Sequence, residues 1–443
     1  MTNINAAISS FQKGDLDSAE FLCFEILNTD SRSHGAYFIL ALISKQRGFD
    51  VEAEKYYLSA IDIAPQSANY RIALSAHFLE RDNPGSALPH LEHAISLDPL
   101  SFAAHTNIGT AYKKIGDLKS AVIHFEKSCK IRRSSKNVDS NMRENPDLTF
   151  HQSRIAKIEH DIEQFDFLNR VYPDKKNFRS YAEILRNILP DFSKRTDSHG
   201  SAVFTESEYN NISHFYNRLM WRYSDDKVSP ILGDHQVNRG ILGSFNNDTD
   251  EVLIIDNFLS ERALASIRNY CLESTVWFDS KNDSAYLGAY MHDGFIPSIT
   301  LGIGDELSKK WPQFFSDLTL TQLWAFKYDQ EGHGTGLHAD DASININLWI
   351  TPDECCLDPE NSGLTLYPVS IPEDAEFSEY NNDQNGLREL VSKEEENRLK
   401  IPYRCNRALI FRSRIIHQTS PYRFRAGYQN RRVNITLLFE KMV

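Results

Sequence analysis

The sequence predicts a multidomain α + β protein. It has a helical solenoid over residues 1–133, a connecting segment over 134–249, and a strand-rich domain over 250–443 with flanking helices and an insertion at 371–404. Three observations predict this. Ala19, Ala53, Ala87 and Ala121 recur at a fixed 34-residue spacing. From 318 onward, short runs alternate apolar and polar residues between turns, the two-residue period of half-buried strands. A chain of 443 residues also exceeds what one ordinary core organises.

The solenoid is argued from its register. Gly14, Gly48 and Gly116 keep the same 34-residue step, and Asn83-Pro84-Gly85 is read as filling the missing place. Ala60 and Ala94 repeat the step, as do Pro65 and Pro99. A small alanine lets two helices approach, a glycine turns the chain between them, and a proline stops the second helix. The segments "GDLDSAEFLCFEILNTD", "FDVEAEKYYLSAIDIAP", "GSALPHLEHAISLDP" and "GDLKSAVIHFEKSCKI" resemble tetratricopeptide repeats, and Asn107-Ile108-Gly109 with Tyr112 fits the leading helix of that repeat. The resemblance implies a concave surface that takes a protein or peptide partner.

Residues 134–149 are polar and aperiodic, which predicts a linker. Residues 150–170 place Ile155, Ile158, Ile162 and Phe165 at helical spacing, suited to capping the solenoid. Helical patterns continue through 175–189 and 206–223. At 252 a short buried strand leads into a helix with Ser260 as N-cap and Glu261 in its first turn. Strands are expected at 320–329, 342–351, 363–369, 407–413 and 431–440, a series that suggests a sandwich or barrel. The acidic insertion 371–404 predicts a helix near 384–399 and a lid or flanking element.

Bulk properties narrow the function classes. A net charge of −13 and a pI near 5.6 argue against a nucleic-acid or anionic-membrane binder. The basic run Lys130–Arg133 reads as a solvated helix end. No apolar run reaches the roughly 18 residues that span a bilayer. The N-terminus has no basic start before an apolar core, so no signal peptide is expected. The six cysteines form no C-x-x-C pair, which fits neither a zinc knuckle nor a disulfide framework and points to a reducing cytoplasm.

The chemistry concentrates in the C-terminal part. In an extended chain His338 and Asp340, two residues apart, face the same way. Alone, such a pair is as readily a polar turn. Downstream, "ALIFRSRIIH" reads as an apolar strand ending at His417. In the last strand Arg432, Asn434 and Thr436 share one face, and Val433, Ile435, Leu437 and Phe439 the other. Ser343, Asn345, Asn347 and Trp349 repeat the split against Ile344, Ile346, Leu348 and Ile350. Two histidines and one carboxylate with open positions suit non-haem iron(II). A buried Arg432 demands an anion, which a dicarboxylate supplies bidentately. Arg431 falls on the apolar face and is the weaker anchor.

"YDQEGHGTGLHAD" (328–340), "SGLTLYP" (362–368) and "RVNITLLF" (432–439) resemble the iron(II)/2-oxoglutarate-dependent dioxygenases, in particular their prolyl-hydroxylase-like branch. "NLWITPDE", "NRALIF" and "GYQNRRVNITLLF" more closely resemble bacterial 2-oxoglutarate oxygenases of unassigned substrate, often joined to tetratricopeptide repeats. The resemblance implies a double-stranded β-helix, or jelly roll. It implies His338, Asp340 and His417 as iron ligands, Arg432 on the distal carboxylate of 2-oxoglutarate, and Tyr328 hydrogen-bonded to that co-substrate, with Asn347 and Asn434 in the same shell. Fe(II), 2-oxoglutarate and O2 would serve hydroxylation of an unactivated C–H, on a protein or peptide recruited by the repeats. The alternatives are a small-molecule hydroxylase whose repeats serve assembly, and a scaffold with an inactive oxygenase domain. Fourteen residues separate His417 and Arg432, more than is usual in that branch. Arg423 and Arg425 in this loop are read as solvated, His333 as a rim residue, His292-Asp293 as structural and Glu394–Glu396 as an exposed helix face.

Overall fold

The computed structural model describes residues 4–134, 148–175, 177–224, 227–234, 236–245, 248–280, 286–372, 375 and 377–441. The chain divides into two compact units, Met1–Arg132 and Arg133–Val443.

The first unit is built from α1 (Ile4–Gln12), α2 (Leu16–Thr29), α3 (His34–Gln46), α4 (Asp50–Ile63), α5 (Ala68–Glu80), α6 (Pro84–Leu97), α7 (Phe102–Lys114) and all but the last residue of α8 (Leu118–Arg133). Ala19, Ala53, Ala87 and Ala121 are wholly buried, as the 34-residue register requires. Asp15 and Asn83 cap α2 and α6 by accepting from the backbone N–H three residues on. Gly14, Gly48 and Gly116 turn the chain at φ of 79°, 76° and 81°. The missing place is filled by Asp82, at φ 54°, and not by Asn83-Pro84-Gly85, whose Pro84 and Gly85 already lie in α6. Aspartate tolerates the left-handed region better than most side chains, so one turn forgoes glycine.

The second unit opens with α9 (Leu148–His151), β1 (Gln152–Arg154), α10 (Ile155–Val171), α11 (Phe178–Ser193), β2 (Ser201–Val203) and α12 (Glu206–Ile212). Most of the expected linker at 134–149 lies outside the described residues. The helix expected at 150–170 is broken by β1, which pairs with β2, and the helix expected at 206–223 stops at Ile212. Ile158, Leu168, Phe178, Leu185 and Phe192 share a core with Leu272 and Tyr428, so α10 packs into this unit. Arg133 is not a solvated helix end. It is buried, paired with Asp293, and stacked over Phe278 at 4.1 Å.

Strands then dominate: β3 (Gln236–Phe245), β4 (Asp248–Asp256), β5 (Asp279–Ser280), β6 (Tyr286–Tyr290), β7 (Leu318–Tyr328), β8 (Glu331–Gly332), β9 (Ile344–Trp349), β10 (Leu364–Ser370), β11 (Leu399–Ile401), β12 (Arg407–Arg412), β13 (Ile415–Thr419), β14 (Tyr422–Arg423) and β15 (Val433–Lys441). Helices α13 (Glu261–Glu273), α14 (Ser298–Lys310), α15 (Pro312–Phe315), α16 (Phe377–Asn382) and α17 (Gln384–Ser392) punctuate them. Ser260 caps α13 as expected. An eight-stranded antiparallel sheet runs β3-β4-β12-β9-β15-β7-β6-β5, and a three-stranded sheet runs β11-β10-β13. The large sheet therefore begins before residue 250.

Two expectations change here. The run ending at His417 is not one strand. It breaks at Ser413-Arg414, β12 stays in the large sheet, and β13 crosses to the small one. The helix expected over 384–399 stops at Ser392, and residues 399–401 return to pair with β10. Among the described residues no helix is long and apolar enough to cross a membrane. All six cysteines are free.

Candidate metal centre

His338 and Asp340 lie just before β9, in a segment held by a single bridge to β13. His338 N–H donates to the His417 carbonyl at 3.0 Å, His417 N–H returns to His338 at 2.9 Å, and Asp340 N–H donates to Ser413 at 2.9 Å. This bridge sets the two imidazoles opposite one another, with ring centroids 4.3 Å apart. Asp340, two residues on, projects to the same side. The ligand atoms of His338, Asp340 and His417 lie within 4.8 Å of one another, and His417 Nε2 is 3.6 Å from Asp340 Oδ2.

The imidazoles are already oriented. His338 Nδ1 meets the Gly336 carbonyl at 2.8 Å, and His417 Nδ1 meets the Ile415 carbonyl at 2.9 Å. A carbonyl only accepts, so this geometry assigns the proton to Nδ1 and leaves the Nε2 lone pair for a metal. Burial, then the neighbouring His338, pushes the His417 pKa well below its ordinary value, while burial pushes that of Asp340 up. A buried carboxylate and two imidazoles converging on one point form a donor set that a divalent metal ion satisfies.

Asp340 is also fixed from the large sheet. Asn345 Nδ2 donates to Asp340 Oδ2, Asn347 Nδ2 to Asn345 Oδ1 at 2.7 Å, and Asn434 Nδ2 to Asn347 Oδ1 at 2.9 Å. Thr436 Oγ1 joins Asn347 Oδ1 at 3.2 Å. The polar faces of β9 and β15 thus form one amide relay ending on the carboxylate. Asn345 thus joins Asn347 and Asn434 as a site residue, and its parity with Asn347 along β9 is the sequence signal for it.

The triad opens into a cavity between the sheets. Trp324, Phe326 and Tyr328 of β7, Asn347 of β9, and Asn434 and Thr436 of β15 line one side, and Leu364 of β10 with His417 and Thr419 of β13 the other. Behind Tyr328 stands Arg432, wholly buried among the rings of Tyr328, Trp349, Tyr403 and Tyr422 at 5.0, 5.7, 5.9 and 5.7 Å. It donates to the Gly363 carbonyl at 3.4 Å, and its Nε and Nη1 have no hydrogen-bond partner. Tyr328 Oη, Trp324 Nε1, Trp349 Nε1 and Asn434 Oδ1 are likewise buried without a well-formed hydrogen bond. Burial raises the Tyr328 pKa against the opposing pull of Arg432 and Thr419. Unsatisfied buried groups are rare and costly, and a guanidinium most of all. The donors among them, Arg432 Nε and Nη1 with Tyr328 Oη, fit a bound carboxylate, whereas Asn434 Oδ1 is an acceptor.

Arg431 is engaged elsewhere, 2.8 Å from Glu163 and 3.1 Å from Asp329. His333, Arg423 and Arg425 are exposed, and Asp293 serves the ion pair with Arg133. None of the five lines the cavity.

A tetratricopeptide repeat model matches residues 102–135, which contain α7 and α8. No curated protein matches the chain. Among solved structures the chain is similar to a mutant O-GlcNAc transferase of Thermobaculum terrenum, with 20% identity, a TM-score of 0.28, and coverage of 30% of this chain and 26% of that one. It is also similar to YrrB, described as a TPR protein with an unusual peptide-binding site, with 21% identity, a TM-score of 0.27, and coverage of 29% and 66%. A third is PilW, described as a widely conserved type IV pilus biogenesis factor, with 20% identity, a TM-score of 0.28, and coverage of 29% and 60%. The chain spans about a quarter of the transferase and less than two thirds of the other two. The N-terminal region carries tetratricopeptide repeats, and a strand-rich unit follows them.

Proposed function

We propose that this chain is an iron(II)- and 2-oxoglutarate-dependent dioxygenase that hydroxylates an unactivated C–H bond of a protein or peptide recruited by the repeats. The observation that carries this is the convergence of His338, Asp340 and His417 at one end of a cavity that also holds buried, unsatisfied donors. On this reading the two sheets are the halves of a double-stranded β-helix.

His338 and His417 offer Nε2, and Asp340 offers its carboxylate. Iron(II) held there, together with 2-oxoglutarate and O2, supplies the oxidising power that converts C–H to C–OH as the keto acid becomes succinate and carbon dioxide. Arg432 pairs its free Nε and Nη1 with the distal carboxylate of the keto acid, and Tyr328 adds its hydroxyl. Asn347 and Asn434 hold the shape of the pocket through the amide relay. The walls of Trp324, Phe326 and Leu364 keep bulk water from the reacting centre. Six free cysteines are consistent with a reducing cytoplasm.

The test is uncoupled turnover: succinate formed from 2-oxoglutarate with iron(II), present in the wild type and absent in His338→Ala. A wild type that neither binds iron nor forms succinate sinks the enzyme reading and leaves a repeat scaffold. Removal of residues 1–132, sparing the buried Arg133, tests the substrate class. A protein hydroxylase loses its substrate but keeps uncoupled turnover, whereas a small-molecule enzyme keeps both.

A further inference from the structure

Ala339 stands between the two ligands of the H-x-D motif and is wholly buried. His338 spends its own N–H and C=O on His417. One residue on, the backbone of Ala339 addresses the opposite edge of this short extended segment. Two buried backbone groups on that edge need partners. The side-chain amide of Asn381, in α16, serves both. Its Oδ1 accepts from Ala339 N–H at 3.1 Å, and its Nδ2 donates to the Ala339 carbonyl at 2.9 Å. One side chain thus takes the place of a neighbouring strand. Gln384, at the start of α17, adds a donor to the Leu337 carbonyl at 3.0 Å. Leu387 and Val391 of α17 pack with Leu337, Ala339 and Ile416 in one apolar cluster. The ligand arm is therefore held by β13 on one edge and by the 371–404 insertion on the other.

We propose that Asn381 is a positioning residue for the metal centre, and that α16 and α17 form a brace keeping His338 and Asp340 in register with His417. This rests on the metal reading above. The insertion is then a support beneath the ligands, and its order is coupled to metal occupancy. The coupling is reciprocal: a metal held by the triad stabilises the brace as much as the brace stabilises the metal.

The experiment uses the full chain with cobalt(II) as the probe, followed by its visible absorption, alongside amide hydrogen exchange read by peptide. Asn381→Ala should weaken cobalt binding about 10- to 100-fold, the range for lost outer-shell support. It should also speed exchange at residues 337–340 without altering exchange across the solenoid. Gln384→Ala should act in the same direction, more weakly, and Arg388→Ala on the exposed face of α17 should change neither readout. In the wild type, cobalt should slow exchange in α16 and α17. Unchanged cobalt affinity in Asn381→Ala overturns the brace, as does faster exchange spread over the whole second unit, which marks a general loss of stability. If the wild type binds cobalt no better than His338→Ala, the metal reading fails by itself. The brace then rests on exchange in Asn381→Ala: acceleration confined to 337–340 supports it, and none overturns it.

Discussion

Most buried polar side chains in the solenoid find partners close at hand, with Arg71 Nε and His90 Nδ1 as exceptions. Ser75 donates to the Arg71 and Ala87 carbonyls, His77 meets Asp50, and Ser128 donates to Phe102. Around the cavity of the second unit, Arg432, Tyr328, Trp324, Trp349 and Asn434 hold buried polar atoms with none. The difference separates packing from chemistry. What recurs every 34 residues is small or apolar and closes a core. What does not recur, and gathers polar, buried and incomplete around one cavity, marks where a ligand belongs.

The largest effect should come from the triad. Asp340→Ala should reduce metal-dependent succinate formation to background, as His338→Ala does, with the melting of the solenoid unchanged. Residual activity within a few-fold of wild type would show that the cluster is not the centre. Arg432→Met comes next and splits two quantities that normally move together. The KM for 2-oxoglutarate should rise at least about thirtyfold, the loss of about 2 kcal/mol from a buried charge contact. The ligand-free second unit should hold or gain stability, by about 1 kcal/mol, because an unpaired buried guanidinium is removed. A KM unchanged together with a large loss of stability would make Arg432 a structural residue.

These outcomes bear on what the sequence makes legible. The triad could be read because strand parity joins His338 to Asp340, and the polar face of β15 follows from the same period at Arg432, Asn434 and Thr436. The 34-residue step made the solenoid readable for a similar reason, since each repeat reports on the next. Parity does not disclose neighbours on other strands. It put Asn345 on the polar face but not against Asp340, which is set by how β9 meets the segment before it. It likewise ran through Ser413-Arg414, where the chain changes sheets. The burial of Arg133 has no local signal because its partner, Asp293, is 160 residues away. Asn381 gave no local signal, since its role arises only where α16 reaches Ala339.

A smaller perturbation tests whether the solenoid is a packing device alone. Gly109 on α7 faces Phe125, and a Cβ there would stand 2.6 Å from the ring and 3.1 Å from the Ala121 carbonyl. Gly109→Ala should therefore destabilise the first unit by about 1–3 kcal/mol through overpacking, read as a lowered melting temperature. Uncoupled turnover by the second unit should not change. If it falls in step, the two units do not act separately.

The smallest expected effect is a pH dependence away from the cavity. Asp256 at the end of β4 is buried against Arg407 of β12 and Arg404. Burial alone would raise its pKa, but the hydrogen bonds and charges of Arg407 and then Arg404 outweigh burial and hold it below the ordinary carboxylate value. A carboxyl whose folded pKa is depressed adds stability above its unfolded pKa of about 3.9, and loses it as pH falls through the folded value. Asp256→Asn should cost the second unit about 1 kcal/mol at pH 7, discounted for the partly exposed Arg404. The gap from wild type should close as the pH falls below about 4, in urea melts at a series of pH values. The ion pairs of the solenoid, such as Lys45–Glu80 and Lys114–Asp82, are exposed and screened, so neutralising one of them should cost less than Asp256→Asn. A gap that stays constant down to pH 3 would mean that Asp256 acts by shape and not by charge.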